Sequence, residues 1–193
     1  TLRPELEFWL PAQRLSATTI DALCQAHCLP GVPRPALAAG QLHGMLMGFA
    51  DLVFEHAGRY WVLDYKSNHL GSSDAAYTPA ALRLAMAQHR YDVQAAIYLL
   101  ALHRLLRQRL GAAYRPQQYL GGAVYFFVRG LHGPSHGLCV LPAHEPLLDA
   151  LDAMLAGDTD TDTDTDTDTG PNAYPIAQGA TPGTALTEAH HAH

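Results

Sequence analysis

Two apolar runs joined by one short polar connection constrain this chain more than any other feature. Met45 to Phe54 and Tyr60 to Tyr65 are apolar and carry β-formers, and Glu55-His56-Ala57-Gly58-Arg59 between them supplies the glycine of a tight turn. The pattern predicts a β-hairpin. With Ala57-Gly58 as a two-residue loop, His56 pairs with Arg59 and every later pair is fixed. Asp51 then stands directly opposite Asp64. Side chains alternate faces along a strand, so Lys66 shares the face of Asp64, and Asp51 joins them. A loop of odd length would offset the pair.

Like charges directly opposite on paired strands, with Cβ atoms about 4.5–5.5 Å apart, are destabilising. A divalent cation turns that repulsion into coordination. Mg²⁺ takes oxygen ligands, commonly one or two carboxylates, with water and phosphate oxygens filling the rest. Lys66 is the only lysine among the 12 Lys and Arg residues. Its compact ammonium can sit against a water or a phosphate oxygen, where the planar fork of arginine is not interchangeable with it. Asp-x-Lys at the end of an apolar strand, with a second carboxylate opposite, suits metal-dependent phosphodiester hydrolysis. Lys66 would orient the attacking water and offset charge building on the phosphate. Taken singly, an aspartate near a strand end is commonly a turn residue, and Asp-x-Lys recurs by chance. The opposed register and the solitary lysine are what set this combination apart.

Gly48-Phe49-Ala50-Asp51-Leu52-Val53-Phe54 and the stretch Gly58 to Gly71, with Leu63-Asp64-Tyr65-Lys66-Ser67-Asn68 inside it, resemble the RecB-type nucleases. These are the nuclease domains of the β subunit of heterotrimeric exodeoxyribonuclease V, in the PD-(D/E)xK superfamily. The likeness continues through Ala87 to Gln94, Ile97-Tyr98 and Gly121 to Gly130, and covers Arg3 to Gly157. It implies an α/β fold, a mixed β-sheet flanked by helices as in restriction endonucleases. It also implies a Mg²⁺-dependent DNA exonuclease that acts beside an upstream helicase. Its partners would be DNA and two further subunits, RecC-like and RecD-like, in recombinational repair of double-strand breaks.

Carried over by position, the resemblance makes Asp51 and Asp64 the metal-binding aspartates, with the Tyr65 carbonyl a further ligand, and Lys66 the catalytic lysine. Glu5 matches the upstream acidic residue, with Glu7 as its alternative. Gln94 and Tyr98 match a Gln-xxx-Tyr element whose i,i+4 spacing puts both on one helix face, where they meet DNA or buttress the site. A plain packing pair is the other reading of those two. Ala50 stands where the superfamily's name has proline. A liganding histidine on an upstream helix has no counterpart, because Glu5 lies almost at the start. The expectation is therefore an N-terminally truncated domain, residues 1–157, without that histidine and the first helix. The alternative function is a catalytically silent member of the fold that guides DNA or docks subunits; silent relatives lose the aspartates or the lysine, and this chain keeps all three.

The remaining sequence bounds the answer. A chain of 193 residues can enclose one sizeable core. No apolar stretch approaches the ~18–20 residues of a membrane span, and Arg3-Pro4-Glu5 does not read as a secretory signal. Three cysteines, none obviously partnered, suit a reducing cytoplasm. Cys24, His27, Cys28 and the distant Cys139 fit no complete zinc or iron–sulfur set and read as an ordinary helix and core. The net charge of −6 misleads. Six of the 18 acidic residues lie in the Asp158–Thr169 run and Glu188 lies beyond it, leaving 11 against 12 basic residues before it. A near-neutral body lacks the basic footprint of a tight nonspecific DNA binder. The Asp-Thr repeat cannot bury apolar surface, so residues 158–193 are expected to be disordered, with His190, His191 and His193 in a frayed tail.

Elements predicted along the body are a strand at Glu5–Leu10, a helix at Thr18–His27, and a Pro-rich loop from Pro30 to Pro35. The hairpin follows at Leu42–Ser67, then a long helical stretch from Pro79 to Leu110. Strands at Gly122–Val128 and Gly137–Leu141 and a helix at Pro146–Ala156 complete it. No Gly-x₄-Gly-Lys-[Ser/Thr] loop is present in the sequence, which excludes a P-loop motor within it.

Overall fold

The computed structural model describes residues 2–156 and 173–175. The Asp-Thr run and the terminal histidines lie outside the described residues. Ala173–Pro175, within the segment expected to be disordered, forms a short strand. Among the described residues six strands make one mixed sheet: β1 (Leu2–Ser16), β2 (Gln41–His56), β3 (Arg59–Lys66), β4 (Leu120–Phe127), β5 (Leu138–Pro142) and β6 (Ala173–Pro175). Their order is β1-β2-β3-β4-β5, with β6 parallel to β2 at Met45–Met47. Only β3 and β4 pair in parallel along the main path. The α-helices among the described residues are α1 (Ala17–His27), α2 (Pro79–Gln88), α3 (Tyr91–Leu110), α4 (Pro116–Tyr119) and α5 (Glu145–Ala156). This is an α/β mixed sheet with flanking helices.

The hairpin is the one read from the sequence. His56 pairs with Arg59, and the register runs to Leu52 opposite Leu63. Ala57 and Gly58 both have positive φ, 51° and 76°, as a type I′ turn requires. Glycine adopts that conformation freely, whereas the Cβ of alanine makes the left-handed region costly by roughly 1–2 kcal/mol. Asparagine tolerates it better. Ala57→Asn should therefore stabilise the chain by about 0.5–1 kcal/mol, read as a Tm rise of roughly 2 °C.

Pairing aligns a buried row across four strands: Val53, Val62, Ala123 and Leu141. The next row on that face brings Asp64 beside Tyr125, and Tyr125 beside Cys139. The opposite face is more open, with Tyr65, Leu138 and Val140 about half exposed. α3 is apolar around most of its circumference, the signature of a central helix. It touches β1, β3 and β4 as well as α1, α2 and α5. α5 is amphipathic, burying Leu147, Leu148, Leu151 and Leu155. Caps fix the starts of the outer helices: Ser16 accepts the Thr19 N–H at α1, and Thr78 the Ala81 N–H at α2, with Pro79 following. Among the described residues no helix is long and apolar enough to cross a membrane. The three cysteines are buried and unpaired.

Two elements differ from expectation. β1 is far longer than Glu5–Leu10, because most of it finds partners on the similarly long β2. The stretch Pro79–Leu110 is two helices rather than one. Arg90 breaks it with φ 54° and ψ 32°, although neither glycine nor proline marks the place. Ion pairs to Asp21 and Asp92 and a hydrogen bond to the Pro35 carbonyl hold Arg90 there. The break sets the first turn of α3 against the end of β3.

Candidate active site

Val53 and Val62 form a buried pair, and two residues further along each strand lie the exposed Asp51 and the buried Asp64. The ladder stops one step short of them. There the Asp51 carboxylate takes over, accepting the Tyr65 backbone N–H at 2.8 Å. In an extended residue the N–H and C=O point to the same neighbouring strand. The Tyr65 carbonyl therefore shares the edge on which Asp51 sits, while the Tyr65 ring lies exposed on the other face, against Phe126.

Lys66 and Asp64 are both buried, and Nζ lies 2.6 Å from Asp64 Oδ2. Burial pushes the Asp64 carboxyl above its ordinary value; the Lys66 charge and hydrogen bond pull it back, and the like charge of Asp51 adds to the rise. A hard divalent cation fits the donor set present, two carboxylates and a peptide carbonyl.

α3 completes the site. Gln94 Oε1 accepts from Lys66 Nζ at 3.0 Å, and Gln94 Nε2 donates to Tyr98 Oη at 2.9 Å. Tyr98 donates in turn to the Phe49 carbonyl on β2 at 2.6 Å. Tyr125 also donates to Gln94 Oε1, at 3.1 Å. Burial first, and then the Asp64 charge, raise the pKa of Tyr98 and of Tyr125, so both hydroxyls stay protonated as donors. Gln94 and Tyr98 are buried, at 4% and 3% exposed.

Glu5 is not gathered in. Its neighbours Pro4 and Leu6 pair with Leu52 and Ala50, so Glu5 sits across from Asp51 in register, but at a positive φ of 51° and exposed. Among the described residues no group of three or more His, Cys, Asp or Glu is arranged to hold a metal. Glu7, the alternative, instead accepts a hydrogen bond from Trp9 Nε1 at 3.0 Å. Tyr91 and Tyr125, which flank the lysine, escaped the sequence reading. Tyr91 was findable, since Tyr91, Gln94 and Tyr98 recur at helical spacing on one face. Tyr125 was not, because its place depends on the β3–β4 register.

The sequence model of the PD-(D/E)XK nuclease superfamily matches residues 10–172. The chain belongs to that superfamily. Within it, this nuclease-family chain is 44% identical over 158 residues to the RecBCD enzyme subunit RecB of Escherichia coli (strain K12), covering 80% of the chain and 13% of that relative. The RecB of Haemophilus influenzae (Rd) is 41% identical over 124 residues, 64% of the chain and 10% of the relative. That of Mycobacterium tuberculosis (H37Rv) is 46% identical over 93 residues, 48% of the chain and 8% of the relative. The PD-(D/E)XK chain thus spans a small fraction of the length of the relatives it matches.

Proposed function

We propose that this chain is a Mg²⁺-dependent deoxyribonuclease domain that hydrolyses phosphodiester bonds, working as an exonuclease in a RecB-type helicase–nuclease assembly. The observation that carries the reading is the convergence of Asp51, Asp64 and Lys66 at the open end of the β2–β3 hairpin, in a superfamily of nucleases. Asp51 and Asp64, with the Tyr65 carbonyl, would hold the cation. Bound there, a divalent cation supplies a Lewis acid for the phosphate and eases deprotonation of the attacking water.

The protein's own groups do the rest. The Asp51 carboxylate holds the Tyr65 peptide by its N–H, which aims the adjoining carbonyl into the same space. Lys66 places a positive charge beside Asp64, where it can donate to the attacking water or to a phosphate oxygen as negative charge grows. Gln94 fixes the height of that ammonium, and Tyr98 fixes Gln94. Glu5, one strand over, would support waters around the cation rather than bind it directly. By its likeness to RecB subunits of the RecBCD enzyme, the domain would act on linear DNA beside two other subunits, in the cytoplasm.

The test is degradation of linear single- and double-stranded DNA by the purified chain with Mg²⁺, with and without EDTA. Cleavage should appear with Mg²⁺ and vanish with the chelator. Cleavage that persists in EDTA, or its absence with both Mg²⁺ and Mn²⁺, contradicts the assignment for this chain.

A further inference from the structure

Lys66 is 7% exposed, and its ammonium has three N–H bonds to place. Asp64 Oδ2 at 2.6 Å and Gln94 Oε1 at 3.0 Å take two of them. Against the ammonium also lies the ring of Tyr91, its centroid 4.0 Å from Nζ, with the ring of Tyr125 at 5.4 Å. Two aromatic faces thus stand beside a buried cation.

We infer that Tyr91, backed by Tyr125, is a positioning residue that keeps the Lys66 ammonium in place when a divalent cation engages Asp64. The inference rests on the nuclease reading above. Asp64 faces two demands, because it is both the ion-pair partner of Lys66 and a metal ligand. A cation on its carboxylate weakens the ion pair and repels the ammonium at short range. An oxygen acceptor added in compensation would itself compete for the metal. An aromatic face attracts the ammonium through its quadrupole and offers no such oxygen.

The surroundings hold both rings still. Tyr91 donates to Asn68 Oδ1 at 3.3 Å. Its ring stacks on His89 at 5.3 Å and on Tyr125 at 5.9 Å. The Tyr125 hydroxyl is tied to Gln94 Oε1, the same atom that accepts from Lys66. Because Gln94 Nε2 is committed to Tyr98, the amide presents its oxygen to the lysine and cannot turn over without losing that bond. The αL conformation of Arg90 immediately upstream is what brings Tyr91 up to β3.

As the only lysine, Lys66 gives a single side-chain methylene signal in a chain grown on lysine labelled with ¹³C at Cε. In the wild type that signal should lie upfield of free lysine, displaced by the rings, and on adding Mg²⁺ it should shift yet stay upfield and narrow. In Tyr91→Leu the displacement falls, and Mg²⁺ carries the signal to the position of free lysine. Tyr91→Phe, which keeps the ring, should follow the wild type. On linear duplex DNA, Tyr91→Leu should lower kcat about thirtyfold with KM little changed, the rate equivalent of one desolvated cation–π contact. Tyr91→Met replaces the leucine variant should that fail to fold.

A wild-type signal that Mg²⁺ moves to the free-lysine position overturns the positioning role and leaves the nuclease reading standing. So does a Tyr91→Leu chain that cleaves at the wild-type rate, or an equal loss in the Phe variant, which would assign the effect to the hydroxyl and Asn68. A wild-type chain that neither cuts DNA nor responds to Mg²⁺ overturns the nuclease reading, and this inference falls with it.

Discussion

Asp64→Asn should cut Mg²⁺-dependent DNA cleavage by about a thousandfold or more, the scale on which removing a group that stabilises developing charge acts. Asp64 is doubly committed. It is one of the two carboxylates facing the proposed cation space, and it is the ion-pair partner of Lys66. The amide keeps the shape and one oxygen acceptor for the lysine, but it lacks the charge that draws a metal. Alanine is the harsher change. Removing one partner of a buried pair costs about 3–5 kcal/mol, because the remaining charge is left uncompensated. Here Gln94 and the two tyrosine rings still contact the ammonium, and the repulsion from Asp51 is gone, so the thermal penalty of the asparagine variant should be small. Single-turnover degradation of linear duplex DNA, beside a melting curve, separates the two effects. An asparagine variant that folds and still cleaves at the parent rate sinks the catalytic assignment.

The parts of this site that were legible in the sequence are those fixed by local rules. A two-residue turn and strand alternation set which residues face one another, and the structure has His56 opposite Arg59 and the Asp51 side chain reaching Tyr65. Helical spacing put Gln94 and Tyr98 on one face, where Gln94 accepts from Lys66 and donates to Tyr98. What was hidden depends on long-range arrangement. Tyr125 reaches the lysine only because β3 and β4 pair in parallel with Asp64 beside Tyr125. Glu5 could be placed on a strand, but its positive φ, unexpected in a residue with a Cβ, could not be read from Pro4-Glu5-Leu6. The break at Arg90 was invisible for a related reason. Apolar periodicity runs straight across it, and the force that bends the chain comes from Asp21, remote in sequence, and from the Pro35 carbonyl.

The same network yields the largest expected loss of stability. Asp92→Ala should lower stability by about 3–5 kcal/mol, a Tm drop on the order of 10 °C. Asp92 is fully buried in the first turn of α3, where the helix dipole favours a carboxylate. Arg34 Nη1 lies 2.5 Å from its Oδ2 and Arg90 Nε 3.1 Å from its Oδ1. Arg34 also donates to the carbonyls of Cys28 and Leu29, just past the end of α1, which anchors that turn. Removing Asp92 leaves the buried Arg34 guanidinium without its carboxylate and Arg90 with Asp21 alone. Adding Arg34→Met to Asp92→Ala should then recover part of the loss, since a buried charge left without its partner is costlier than an apolar replacement. Because Tyr91 and Gln94 flank Asp92, cleavage should fall along with stability, even at temperatures where the variant stays folded. Melting curves of the single and double variants decide it: a single variant that melts with the parent, or a double variant that melts below the single, would show that the ion pairs are not what fixes the start of α3.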